Sequence, residues 1–257
     1  MSKSSPTAAI VLIGDEILSG RTRDINLQQI ATFLAPLGIP VQECRTVQDE
    51  QDEIVDAVNA LRRRYTYVFT TGGIGPTHDD ITADAIAVAF GIGISEHPTA
   101  LKILEERYAA ANMDFTPARR RMARIPDGAD LIDNPVSGAP GFQTENVFTL
   151  AGVPAIVQGM LQSLEDRLET GVVVHSVTIQ GPGGIEGDIA EALGNLATEM
   201  PSISFGSYPW FRSIDDRGVN LIARGTDLAA LDAAAERLLA IFLAAGVAAK
   251  RLPIGDD

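Results

Sequence analysis

The stretch with the clearest chemical meaning is Tyr67 to Ala85, YVFTTGGIGPTHDDITADA, where an apolar run gives way to a glycine-rich turn, two adjacent aspartates and a helix start. Glycines at 72, 73 and 75 let the backbone turn sharply and bring its N–H groups close to a ligand, and Pro76 stops a premature helix before Thr77. Open α/β sheets hold phosphates at such a strand, turn and helix start, because unpaired helix N–H groups and the helix dipole attract anions. Asp79 and Asp80 would repel that ligand unless a divalent cation, Mg²⁺ or another, stood between them. The residues therefore point to a metal-assisted site for a small phosphorylated ligand. The competing reading makes Asp80 and Thr82 helix N-caps and leaves the glycines to the turn alone. The spacing is neither a Walker loop nor GxGxxG, so no motif implies ATP or NAD.

Other carboxylates recur in the same relation to a strand. Gly14, Asp15 and Glu16 directly follow the apolar run AAIVLI at 8–13, and Asp49 follows a strand expected over 39–47. Between them, Asp24 and Asn26 precede a helix with Leu27, Ile30, Ala31 and Leu34 on one face, ended by Pro36 and Gly38. Asp49 is read as opening a helix whose core face is Ile54, Ala57, Val58 and Leu61. A third strand, Tyr67 to Phe69, enters the glycine turn, and Ile81, Ala85 and Val88 carry the next helix to Gly91. This alternation predicts a three-layer α/β/α unit with a mainly parallel sheet. In such a sheet the strand C-termini share one edge, which gathers Asp15, Glu16, Asp49, Asp79 and Asp80 as candidate metal ligands, with Asp49 and Asp80 as candidate catalytic groups.

Farther along, Pro98 to Tyr108 reads as a helix, and 116–123 as another that carries Arg119, Arg120 and Arg121, followed by Arg124. This densest positive cluster is either a phosphate clamp or a solvated helix face. The turn-rich segment 125–142 offers polar groups and close backbone access at Asn134, Ser137, Gly138 and Gly141, or is an ordinary surface loop. A strand at 147–151 precedes Pro154, which starts a helix with Ile156, Met160 and Leu164 inward. The first domain is placed at 7–170. From 171 to 257 a smaller β-α-β-β-α domain is expected: a strand Val172–Ile179 broken by GPGG at 181–184, a helix from Ile185 to Met200, strands at 202–208 and 218–224, a helix along Leu228, Leu231, Ala235, Leu238 and Phe242, and a strand at 247–252. It carries no motif and reads as an assembly module, with Trp210, Phe211 and Arg212 at a hairpin tip.

Hydrophobic residues make up 46% of the 257, enough for packed cores, and the net charge of −14 argues against nucleic acid or an anionic membrane as partner. The longest apolar stretch, Leu238 to Ala249, is far short of a membrane span, and the N-terminus reads as a first strand rather than a signal peptide. A cytoplasmic protein is expected. The single cysteine, Cys44, allows neither an intrachain disulfide nor a thiolate cluster.

Over roughly residues 7 to 250 the chain resembles the molybdopterin-binding fold family, and within it the N-terminal part of CinA-type competence/damage-inducible proteins. The resemblance rests on IGDEILSGRTRDIN at 13–26, TVQDE at 46–50, TTGGIGPTHDDITADA at 70–85, NPVSGAPGF at 134–142 and LAGVP at 150–154. In the wider family, which includes MoaB and Mog, the glycine turn and following aspartate hold the terminal phosphate region of molybdopterin and its metal. That implies Gly72, Gly73, Gly75 and Asp80 here, with the acidic position after strand two at Asp49. The GDE at 14–16 is similar to the first-strand motif of the MoeA and CinA branches. The family's GTAPG stands here as Ser137 to Gly141, and LAGVPAI lacks the glutamate that usually follows. CinA-type domains are also associated with metal-dependent hydrolysis of ADP-ribose or FAD, so the resemblance implies either a pterin phosphate or a nucleotide pyrophosphate. A non-catalytic scaffold is the third alternative. The nicotinamide-nucleotide amidase domain of CinA proteins is not in this sequence, so that activity is not expected. Relatives of this fold usually associate, which implies a homo-oligomer, with a dimer favoured.

Overall fold

The computed structural model describes residues 5–253, which divide into two compact units at Val172/Val173. The first unit begins with β1 (Ala8–Ile13), the short helix α1 (Asp15–Leu18), α2 (Asn26–Leu34), β2 (Val41–Val47), α3 (Gln51–Arg62), β3 (Tyr67–Thr71) and α4 (Thr82–Phe90). It continues through β4 (Ile94–Glu96), α5 (Pro98–Ala110), α6 (Pro117–Arg120), β5 (Arg124–Pro126), β6 (Asp130–Ile132), β7 (Gly141–Thr144), β8 (Val147–Leu150) and α7 (Pro154–Leu161). The main sheet has the order β2-β1-β3-β8-β7-β6; β2, β1, β3 and β8 run parallel, and β7 and β6 return antiparallel.

The central strands are apolar on both faces because helices cover both. Along β1, Ala9, Val11 and Ile13 join Val68, Ile54, Val58, Leu61, Ile86 and Leu104 in one core. The alternate residues Ala8, Ile10 and Leu12 join Phe69, Phe148, Ile30, Leu34, Val157 and Leu161 in the other. Phe69 and Phe148 stack across β3 and β8 with centroids 5.1 Å apart, adding to the burial of two large side chains. The α3 core face is the expected one. On α4 the buried face is Ala85, Ile86, Ala87 and Ala89, whereas Val88 points outward, 53% exposed.

Several sequence expectations change on the far side of the sheet. The segment 125–142 contains β6 and the start of β7 as well as turns, and β4 pairs with β5 in a separate two-stranded ribbon. The two residues joining β7 to β8 are Glu145 and Asn146, and Glu145 takes φ 50° where a hairpin normally places glycine. No turn signal marks that hairpin.

The second unit comprises β9 (His175–Pro182), α8 (Glu186–Glu199), β10 (Ser204–Phe211), β11 (Arg217–Gly225), α9 (Leu228–Ala244) and β12 (Lys250–Arg251), with an antiparallel sheet ordered β10-β11-β9-β12. Val177, Ile179, Val219, Leu221 and Ala223 meet Ile189, Leu196, Leu231, Leu238 and Phe242 in a third core. Strand β9 starts later than the sequence suggests and runs into GPGG instead of stopping before it. The reason is packing: a Cβ on Gly181 would sit 2.3 Å from the Phe242 ring, so the glycine makes room for α9 within the strand. Phe211 is 67% exposed at the β10–β11 tip, while Trp210 is half-buried with the Arg212 guanidinium 5.3 Å from its ring.

Candidate functional site

Strand order makes the site. From β1 the chain crosses to β2 on one side and then to β3 on the other, so the loops after β1 and β3 diverge and leave a crevice at the strand C-termini. A cleft of about 550 Å³ lies there, a size suited to a small organic ligand. Its walls include Gly14 and Glu16 after β1, Asp49 after β2, Gly72, Gly73, Gly75, Pro76, Asp79 and Asp80 after β3, and Asn134 and Ser137 from the loop before β7.

The glycine turn is held from below. Gly72 takes φ 102°, and a Cβ there would lie 2.2 Å from the Ile13 carbonyl oxygen, so only glycine lets β3 turn this close to β1. Buried Thr82 does not cap α4: its hydroxyl donates to the Gly72 carbonyl at 2.9 Å and its N–H to the Gly73 carbonyl. The N–H groups of Gly73, Ile74 and Gly75 meet no acceptor among the described residues. Asp80 is not a cap either. The α4 cap is Ile81, without a side-chain bond, and the Asp80 carboxylate turns back to accept the Thr77 N–H at 2.7 Å and the Thr77 hydroxyl at 2.6 Å. That hydroxyl also lies 2.5 Å from the Asp79 carboxylate. Thr77 thus draws both aspartates together, and its hydroxyl holds the Asp79 carboxyl below its ordinary pKa.

Asp49 does not cap α3, whose N-cap is Glu50. One carboxylate oxygen instead accepts the Asp15 N–H at 3.0 Å, bridging the ends of β2 and β1. Burial pushes its pKa up, opposed by that bond and reinforced by the charges of Glu16, Asp15 and Asp79. The carboxylates expected from three successive strands therefore share one electrostatic environment. Asp15 and Thr77 do not line the cleft; they support Asp49 and Asp80.

Two expected ligand positions lie elsewhere. Gly138 packs against Arg107, and Gly141 sits within β7, where a Cβ would meet the Thr149 carbonyl at 2.5 Å. Asn134 is buried and fully engaged: its Nδ2 donates to Ser137 Oγ and the Ala139 carbonyl, and its Oδ1 accepts from the Val136 and Ser137 N–H groups. Two members of the arginine cluster are committed to protein carboxylates, whereas the buried Nε of Arg121 has no hydrogen-bond partner among the described residues. Arg120 makes a bidentate pair with Glu96, Arg124 a bidentate pair with Asp84, and Arg121 donates to the Asp80 carbonyl at 3.2 Å. Arg119 lies over the Tyr108 ring.

The sequence reading did not place α7 in the site. Gly152, Val153, Pro154 and Ile156 line the cleft, and the helix has no side-chain cap, so the positive end of its dipole lies beside the glycine turn and favours an anion there. The buried Asn26 side chain donates to the Gly152 carbonyl at 2.8 Å and fixes that loop. Thr22, Met122 and Ala139 also line it, with Ile13, Ile74 and Ala151. Pro154 announces the helix start, but only the strand order turns it toward the crevice. Helix α7 contributes no carboxylate.

The first unit matches the family model described as a probable molybdopterin binding domain over residues 9–170, and residues 184–250 match that of the FAD synthase middle domain. A protein of Aeropyrum pernix is 34% identical over 92% of this chain and 91% of its own. A CinA-like protein of Gloeobacter violaceus is 34% identical over 73% of this chain, which spans 46% of that longer protein. The crystal structure of the protein CinA from Thermoplasma acidophilum, also 34% identical, superposes with a TM-score of 0.59 over 64% of this chain and 99% of that one. With a matched domain that covers more than half its length and a CinA structure matched almost end to end, the chain belongs to the molybdopterin-binding domain family, in its CinA-type branch.

Proposed function

We propose that the cleft binds a phosphorylated ligand of the molybdopterin class together with a divalent cation. The observation that carries this reading is the cleft's two-pole chemistry: free N–H groups of the glycine turn and the uncapped end of α7 suit phosphate, while Glu16, Asp49, Asp79 and Asp80 supply negative charge that meets no arginine or lysine among the described residues, with only His78 near, 3.9 Å from Asp79. Among the described residues no three His, Cys, Asp or Glu groups converge as a complete metal cage. The donor set fits a cation such as Mg²⁺, which takes one or two carboxylates and fills its remaining positions with water and ligand phosphate oxygens. Asp49 and Asp80 would hold it, and it would supply neutralisation of phosphate charge. Asp15 N–H and Thr77 orient those two carboxylates, and Gly73 to Gly75 orient the phosphate.

A second reading is hydrolysis of a nucleotide pyrophosphate such as ADP-ribose or FAD. It is favoured by the raised pKa of Asp49, which suits a carboxylate that accepts a proton from water. In that reaction the oxygen of water bonds to one phosphorus and gives up a proton to Asp49, the bond from that phosphorus to the bridging oxygen breaks, and the two products are AMP and ribose 5-phosphate (from ADP-ribose) or FMN (from FAD). Incubation with ADP-ribose or FAD and Mg²⁺, Mn²⁺ or Co²⁺ separates the readings: metal-dependent AMP release supports hydrolysis, and its absence with retained binding of a phosphorylated pterin supports the first. Neither activity nor binding would refute both.

A further inference from the structure

Charged residues make up 21% of this chain, and acidic ones outnumber basic ones, 34 to 20. Yet no charged residue occurs between positions 25 and 42 or between 146 and 164. These two runs hold α2 and α7, which among the described helices of eight residues or more are the only two without a charge. They lie side by side: Ile30 and Leu34 share a core with Val157 and Leu161. Their outer surfaces form a groove of about 420 Å³ in which Gln28, Gln29, Thr32, Gln158 and Gln162 surround Phe33. Gln28, Thr32, Gln158 and Gln162 are exposed, and the Oε1 of Gln29 is shielded from solvent without a hydrogen-bond partner.

From this we infer that the α2/α7 face is the contact surface for a second copy of the chain, in an isologous dimer. A two-fold interface brings each patch against itself, so it must be self-complementary. Two copies of a strongly acidic protein repel across most of their surfaces, and like charges placed opposite one another disfavour the contact. An amide surface avoids that penalty, because each glutamine carries both donors and an acceptor and can pair with its own symmetry mate. Half-buried Phe33 supplies apolar area at the centre, above the buried Leu161, with amides at the rim, the usual arrangement of a protein interface. Nucleic acid and anionic membrane require cations that this face lacks. The inference is independent of what the cleft binds.

Sedimentation of the full chain at micromolar concentration tests it. The wild type is expected as a dimer whose mass is unchanged between about 0.05 and about 0.5 M salt, because an uncharged contact is little screened. Thr32→Glu/Gln158→Glu should run as a monomer with an unchanged far-UV CD spectrum, and so should Thr32→Lys/Gln158→Lys. Mixing the two variants should restore the dimer mass. A monomeric wild type would overturn the inference, as would a Glu variant that remains a dimer or a mixture that stays monomeric. A wild type that dimerises only at high or only at low salt would place the contact on a charged face instead.

Discussion

The carboxylates at the strand ends and the arginines of residues 119–124 are two charge clusters of the first unit, and their environments are opposite. Arg120 and Arg124 are each held by a carboxylate in bidentate geometry, Glu96 and Asp84, and Arg121 lies 3.8 Å from Asp84. Among the described residues no arginine or lysine pairs with Glu16, Asp49, Asp79 or Asp80, and only His78 comes near, 3.9 Å from Asp79. Asp49 feels Glu16, Asp15 and Asp79, and its proton affinity rises accordingly. Paired charges build the scaffold. Charge left uncompensated beside free N–H donors, at a sheet switch point, marks where a ligand must supply what the protein withholds.

The largest expected effect breaks the acidic side. Asp49→Asn keeps an acceptor for the Asp15 N–H but removes the charge a cation needs, so metal-dependent binding or turnover should fall by about 100-fold or more. Titration of the purified variant against wild type checks this, with its thermal melt as the folding control. On the basic side the effect should fall on stability alone. Asp84→Ala strips Arg124 and Arg121 of their partner in a half-buried setting, which should lower unfolding free energy by about 1–2 kcal/mol while changing ligand affinity less than about threefold. Urea unfolding and the same titration give the two values.

A subtler contrast lies in pH. A carboxyl whose folded pKa is raised binds more protons folded than unfolded, so the metal-free protein should lose stability as pH rises from the ordinary aspartate range through the raised pKa of Asp49. Adding Mn²⁺ should remove that loss, and metal-free Asp49→Asn should melt no lower than wild type at neutral pH. Melting curves across pH check both. The smallest effect belongs to Arg120→Ala, an exposed pair with Glu96 that solvent screens, so both the melting temperature and ligand binding should stay as in wild type.

These contrasts also show what could be read from the sequence. Gly72 to Asp80 is contiguous, and its meaning survives without a structure. Asp49 could be placed because strand and helix periodicities locate the end of β2. The partners of the arginines could not, since Asp84 and Glu96 come from other elements and only packing brings them near. The roles of Asp80 and Thr82 were hidden for a similar reason: both residue types suit a helix cap, but the turn recruits them first, through Thr77 and the Gly72 carbonyl. Strands β4 to β7 are each three or four residues long, too short to show a period, and Glu145 conceals the hairpin turn. The contribution of α7 follows from topology alone.

The central claim is that the two poles of the cleft act on one cation–phosphate pair, and reciprocal binding tests it most directly. Calorimetric titration of Mn²⁺ into the protein, with and without saturating phosphorylated pterin or ADP-ribose, should show each partner raising the other's affinity by the same factor, about tenfold or more, with the coupling lost in Asp49→Asn. Independent binding of metal and ligand, or coupling that survives in Asp49→Asn, would contradict the account.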